Sequence, residues 1–263
     1  MSDSREYKIK GIRVETRAPA KSAGKPRPPI LFVHGGCHGS WSWEKFLPYF
    51  ADAGWECHAL NWYGHNGSDP HPKNDLIHRS IADVVEEISL VAGQFEAKPI
   101  LIGHSMGALA SQKFAEQNSL AGLVLSTSVV PSEVGGAKID VPVDFSRPWG
   151  PPPFELAMQL FFQGLTEDEA RPYYERLCPE SPKAAYEATR WSVSVDKTRV
   201  SGPILVLGAE LDVLTPPSTS RALADFYGAD YRYLRGRGHN LLLEPGWQET
   251  AGLIAQWLER SVV

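Results

Sequence analysis

The sequence predicts an α/β fold: a three-layer sandwich around a mostly parallel sheet, with a helical lid inserted into it. Three observations carry that prediction. Short runs of branched apolar residues, each too brief for a helix, alternate along the chain with stretches of helical periodicity. One such run, Pro99 to Ile102, passes at once into Gly103-His104-Ser105-Met106-Gly107 and then into a helix-favouring segment up to Asn118, which reads as strand, sharp turn and helix. Residues 131–200 interrupt the alternation with a stretch rich in Pro and aromatics. Strands separated by helices pair in parallel through right-handed crossovers. The chain therefore divides into one core, residues 1–130 and 201–263, and a lid at 131–200.

The elements follow in order. Tyr7, Ile9, Ile12 and Val14 alternate with charges over residues 5–17, as in an edge strand or bent hairpin. Four prolines and a glycine make 18–29 a loop. Ile30-Leu31-Phe32-Val33 is a buried strand, followed by the Gly-rich segment from His34 to Gly39. A helix is predicted from about Trp41 to Ala53, closed by Gly54. Residues 55–62 form another strand and 63–75 a polar loop. Ile81, Val84, Val85, Ile88 and Val91 fall on one face of an amphipathic helix over 79–95. Leu123-Val124-Leu125 is a strand, and the lid carries helical segments near 154–164, 166–177 and 182–191. A strand at 203–208, a helix at 217–227 and a strand at 230–235 precede a last helix with Trp247, Ala251, Ile254, Trp257 and Leu258 on one face.

Composition narrows the function. The 263 residues can bury a substantial core in one domain. A net charge of −5 offers no electrostatic case for nucleic acid. Cys37, Cys57 and Cys178 are too few and too scattered for a disulfide framework or a zinc site, which points to a reducing, cytoplasmic compartment. Met1 to Lys10 is polar, unlike a signal peptide, and no apolar run approaches the ~20 residues a membrane helix needs. The histidines show no metal spacing, and neither a metal nor a cofactor is expected.

The chemistry centres on Ser105. A sharp turn between strand and helix strains its backbone, exposes Oγ and aims the Met106 N–H at any negative oxygen formed nearby; Gly103 and Gly107 relieve the crowding. A serine hydroxyl needs a base, and the base needs orientation. Asp212 lies just beyond the strand 203–208 and His239 just beyond 230–235, both at the sheet edge where open parallel sheets meet ligands. Asp212 alone could equally cap the helix that follows. Glu210 reads as a solvated loop charge, and Glu133, beyond 123–127, is the alternative acid. His58 reads as a packed strand residue, His65, His71 and His78 as solvated, and His104 as a support for the turn. The loop at 34–39 supplies a second oxyanion donor, assigned to the Gly36 N–H, because Gly35 and Gly36 let the chain approach the Ser105 turn. Most lid aromatics pack the lid onto the core; Trp149, Phe154 and Phe161, with Trp41 and Leu214, are candidates for an apolar substrate pocket.

Together, G-H-S-M-G at 103–107, H-G-G at 34–36, Asp212 and Gly238-His239 resemble the α/β-hydrolase superfamily over residues 30–260. His34 to Trp43 is similar to the H-G-x-C-H-G-x-W-x-W segment of plant methylesterases, where the residue matching Gly36 donates to the oxyanion. Hydroxynitrile lyases of that branch use a threonine where this chain has Gly35, and Tyr63 to Ser68 looks instead like the R-G-H-G-x-S loop of bacterial esterases and lipases. Haloalkane dehalogenases and epoxide hydrolases place Asp where Ser105 stands. The resemblance implies a serine hydrolase acting on a small to medium, fairly apolar ester, with Ser105 as nucleophile, His239 as base and Asp212 as orienting acid. The same triad also serves thioester, lactone or C–C bond hydrolysis and cofactor-free oxygen chemistry, and a ligand receptor on this fold would keep the pocket without turnover.

Overall fold

The structure, a computed structural model, describes residues 4–20 and 27–263; half of the loop expected at 18–29 and the first three residues lie outside them. Among the described residues, eight strands form one sheet in the order β1-β2-β4-β3-β5-β6-β7-β8. They are β1 (Ser4–Ile9), β2 (Ile12–Arg17), β3 (Ile30–Val33), β4 (Cys57–Leu60), β5 (Ile100–His104), β6 (Gly122–Ser126), β7 (Ile204–Ala209) and β8 (Asp230–Leu234). The first two make an antiparallel hairpin, β2 joins β4 antiparallel, and every later pairing is parallel.

The inner strands read as unbroken apolar runs because both faces are covered. Side chains alternate between faces with period two, and two core clusters divide the strands on that period. Leu31, Val33, Leu101, Leu123, Leu125 and Val206 belong to one cluster, and Ile30, Phe32, Ile100, Ile102, Val124, Leu205 and Leu207 to the other. The first is capped by α2 (Val85–Ala92), α3 (Met106–Ala115) and α7 (Pro217–Tyr227), the second by α1 (Phe46–Asp52) and α8 (Trp247–Ser261). At the edge, β8 is polar and partly exposed, as a strand with only one neighbour can be.

Several elements differ from expectation. The helix expected at 41–53 splits into a 3₁₀ turn at Ser40–Trp43 and α1. Pro48 is the reason: it fits the first turn of α1 but would leave an open backbone bond inside a longer helix. The helix expected at 79–95 starts at Ser80, whose side chain and that of Asp83 form a capping box, and runs through a 3₁₀ turn at Ile81–Val84 before α2. Between β6 and β7 lie three short helices, α4 (Phe154–Leu160), α5 (Glu167–Tyr174) and α6 (Pro182–Arg190), each shorter than the sequence suggests. Thr166 and Ser181 cap the starts of α5 and α6, and Trp191, left-handed at φ 53°, stops α6.

Candidate active site

The loops that follow β3, β5, β7 and β8 converge at the C-terminal edge of the sheet. Ser105 caps the N-terminus of α3 at φ 53°, ψ −121°. A Cβ on Gly103 would stand 2.5 Å from Ala108 Cα, and one on Gly107 2.1 Å from the His34 carbonyl oxygen. These two glycines thus allow α3 to press against both the turn and the loop after β3. The turn is held by the Ser105 N–H, which donates to the Ser126 carbonyl (3.1 Å), and by the Val129 N–H, which donates to the Ser105 carbonyl (3.2 Å).

His239 follows β8, and its Nδ1 lies 2.9 Å from Asp212 Oδ2. Its backbone is held on both sides. The N–H donates to Gln163 Oε1 at 2.9 Å, and the carbonyl accepts from His104 Nε2 (3.0 Å) and Thr127 Oγ1 (2.9 Å). Asp212 Oδ1 accepts the N–H groups of Leu214 (2.9 Å) and Thr215 (3.0 Å), and Oδ2 accepts the Thr215 hydroxyl at 2.6 Å. The residue therefore caps its own turn and engages the imidazole at once. Burial pushes the Asp212 carboxyl up, but His239 and the Thr215 donors outweigh it and leave the group below the usual carboxylate range. Because a carboxylate only accepts, the proton of a neutral His239 belongs on Nδ1, leaving Nε2 basic. The Ser105 hydroxyl makes no hydrogen bond to that imidazole among the described residues; both side chains line one cavity.

The loop after β3 lies against the serine turn. A Cβ on Gly35 would meet His104 Nδ1 at 2.9 Å and Ser105 Cβ at 3.0 Å, and one on Gly36 would meet Met106 Sδ at 2.6 Å. Two buried imidazoles fix its peptides. His34 Nδ1–H donates to the Gly35 carbonyl (2.8 Å) while its Nε2 accepts the Trp62 N–H (3.1 Å). His38 Nδ1–H donates to the Gly36 carbonyl (2.6 Å) while its Nε2 accepts from the Asn240 amide (3.1 Å). Burial holds both in the neutral form: His34 lies well below the usual histidine value and His38 is pushed down to about 4. The Gly36 and Met106 N–H groups donate to no other group among the described residues.

The cavity is walled mainly by apolar side chains. Trp149, Phe161 and Leu214 line it, as do Gly36 and Met106. Trp41 and Phe154 do not. Trp41 is buried behind the wall, stacked between His38 and Tyr173, and Phe154 packs against Tyr174 and Arg171. These placements correct the pocket expected from sequence: aromatics of the same kind divide between wall and support according to the packing around them. Glu133 is exposed and bonds to the Ser194 hydroxyl and the Val195 N–H, not to His239. His65 is not solvated as expected but 1% exposed, with Nε2 facing Glu180 Oε2 at 3.1 Å. His71 is half-buried, its ring against Tyr63 and its Nε2 3.2 Å from Glu86. Glu180 and Gln163 went unremarked in the sequence, since neither lies in a motif and both act through partners far along the chain.

The chain belongs to the alpha/beta hydrolase family, whose model matches residues 30–252. It is similar to methyl jasmonate esterase 1 of Vitis vinifera, 31% identical over 57% of this chain and 61% of that protein. Protein phosphatase methylesterase 1 of Bos taurus is 30% identical over 77% of this chain and 48% of that protein. The chain thus spans less than two thirds of the length of these relatives. Among solved structures, a thermophilic esterase superposes with a TM-score of 0.70 at 16% identity, covering 99% of this chain and 98% of that one, which shows the fold.

Proposed function

We propose that the protein hydrolyses a carboxylic ester of a small to medium, apolar substrate through an acyl-enzyme. One observation carries the reading: the buried 2.9 Å contact between His239 Nδ1 and Asp212 Oδ2, with His239 lining the same cavity as Ser105. In this mechanism Ser105 Oγ attacks the ester carbonyl carbon as its proton passes to His239 Nε2. Asp212 keeps the imidazole in the Nδ1–H tautomer and stabilises the imidazolium. The unpartnered N–H groups of Gly36 and Met106 receive the oxyanion, each contributing about 2.7–4 kcal/mol of barrier lowering. The imidazolium then protonates the departing alcohol. Water, activated by the same imidazole, releases the acid. Since the Ser105 hydroxyl is not hydrogen-bonded to His239, a side-chain rotation must bring them together, as catalytic contacts often tighten only with substrate bound.

The cavity supports an uncharged substrate. No Lys, Arg, Asp or Glu is among its lining residues within the described chain, so a charged acyl group would enter without a counter-ion. Ile139, Val141, Trp149, Phe161, Ala188 and Trp191 come from the 131–200 insertion, which we read as a lid over the site. The similarity to a methyl jasmonate esterase agrees with an ester of this kind. All three cysteines are free, in keeping with a reducing cytoplasm.

Labelling with a fluorophosphonate tests the nucleophile. The wild-type protein should be labelled at Ser105 and should hydrolyse a short-chain nitrophenyl ester, and Ser105→Ala should lose both while keeping its fold. The open Ser105–His239 contact favours one second reading, a ligand receptor on the same fold. An unlabelled, inactive wild-type protein would put the receptor ahead.

A further inference from the structure

The insertion between β6 and β7 sends one charged side chain onto the loop after β3, behind the site. Glu180 lies between α5 and α6, is 2% exposed, and its backbone forms an antiparallel bridge with Trp149 through bonds of 2.9 and 2.8 Å. Its carboxylate reaches out of the insertion. Oε2 accepts the Cys37 N–H at 3.2 Å and faces His65 Nε2 at 3.1 Å, while Oε1 accepts the Ser181 N–H at 2.7 Å. The other nitrogen of His65, Nδ1, faces the Tyr63 carbonyl at 3.1 Å. The Tyr63 carbonyl only accepts, and Glu180, held below the usual carboxylate range, accepts as well, so both contacts are hydrogen bonds when both ring nitrogens carry protons. His65 is then an imidazolium, and the pair is a buried ion pair. Burial opposes each charge, yet each partner's opposite charge outweighs it: His65 is held well above the usual histidine value and Glu180 below the usual carboxylate value. Arg79, the neutral imidazoles of His34 and His38, and the thiols of Cys37 and Cys178 are the other ionisable groups around the pair.

The pair is anchored on the oxyanion loop. Cys37 stands at φ 62°, a conformation that costs a non-glycine residue on the order of 1–3 kcal/mol unless its surroundings enforce it. Its N–H belongs to the same peptide as the Gly36 carbonyl, which accepts His38 Nδ1–H at 2.6 Å. That peptide is therefore gripped at both ends, and it directly follows the peptide whose N–H Gly36 offers to the cavity. A Cβ on Gly36 would stand only 3.4 Å from Glu180 Oε2.

We infer that Glu180 is a positioning residue: through its ion pair with His65 and its bond to Cys37 it aims the Gly36 N–H, so the oxyanion hole is complete only when the insertion is seated on the core. The catalytic consequence rests on the esterase reading; the ion pair does not.

Glu180→Gln preserves size and can still accept the Cys37 N–H, but removes the charge. On a short nitrophenyl ester, kcat should fall about 10- to 100-fold with KM nearly unchanged, short of the loss of a whole donor. A kcat within twofold of wild type would overturn the positioning role. Nitrogen-15 NMR of the His65 ring supplies a readout without substrate: an imidazolium at pH 7 in the wild type, a neutral ring in Glu180→Gln. A neutral His65 in the wild type overturns the ion pair, whether or not the variant folds. A wild type that hydrolyses no ester sinks the esterase reading and the catalytic role with it, and a protonated His65 in that same protein still upholds the pair.

Discussion

His239 and Asp212 leave the ends of two neighbouring parallel strands, β8 and β7, and meet with side chains only 2% and 0% exposed. A pair this buried cannot exchange its partner for water. Asp212→Asn should keep the Thr215 contacts in part but offer the imidazole an amide, which stabilises the wrong tautomer and cannot balance an imidazolium. We expect kcat to drop by about 10⁴-fold, the loss such a change causes in serine proteases. Glu133→Gln should stay close to wild type, because Glu133 is tied to Ser194 and Val195 at the surface. Steady-state kinetics of the two variants decide the acid: a mild loss in the first with a large loss in the second would transfer the role to Glu133.

Gly107 should tolerate no side chain. The Cβ of Gly107→Ala would stand 2.1 Å from the His34 carbonyl oxygen and 2.6 Å from that of Val33, both backbone atoms of the sheet and its loop. Relief requires α3 to move off the sheet, an overpacking cost of about 3 kcal/mol, which lowers Tm by about 6–12 °C in a chain of this size. Gly228→Ala is the control. Among the described residues nothing lies within 4 Å of its Cβ, and its φ of 65° costs only about 1 kcal/mol. Equal melting losses in the two would mean that close packing at Gly107 is unimportant.

What the sequence shows of this molecule follows from what is local. The inner strands are legible because burial on both faces leaves no room for polar residues, and the serine turn is legible because its glycines, strand and helix are contiguous. Asp212 and His239 could be picked out because each directly follows a legible strand. His65 and Glu180 could not, because they stand 115 residues apart and a histidine in a polar loop looks solvated until the insertion folds over it. Trp41 failed as a pocket residue for the same reason: its Trp-rich segment lies next to the site in sequence, but His38 stands between it and the cavity. The helix expected from Trp41 missed the break that Pro48 imposes.

The cavity floor makes the substrate limit adjustable. Ala185 and Ala188 from α6 line it, 2% and 7% exposed, where larger side chains would enter the void. Ala188→Leu should shorten the acyl or alcohol group the site accepts. We expect kcat/KM for a medium-chain nitrophenyl ester to fall by roughly tenfold or more, with the acetate ester within about twofold of wild type, as steric exclusion in an apolar pocket allows. A parallel loss on both esters would mean that α6 supports the fold and does not bound the substrate.

The ion pair between His65 and Glu180 also sets how stability depends on pH. Glu180 titrates below its ordinary 4.5, so its share is present above pH 4.5 and is lost as the pH falls through the lower folded value. His65 titrates well above its ordinary 6.5, so its share is full below pH 6.5 and is lost as the pH rises through the higher folded value. The stabilisation is therefore greatest between those two limits and declines on the alkaline side, where the imidazolium loses its proton and leaves Glu180 buried without a counter-charge. Other groups add to the alkaline decline, including the thiols of Cys37 and Cys57, which burial keeps protonated in the folded chain, so the difference between proteins is the quantity to read. In Glu180→Gln, His65 has no reason to stay protonated, and that variant should lose less stability than wild type between pH 6 and pH 9. Denaturant unfolding of both at the two pH values measures it. Parallel losses would show that His65 is protonated in both folded proteins or in neither, and the NMR titration of its ring tells those two cases apart.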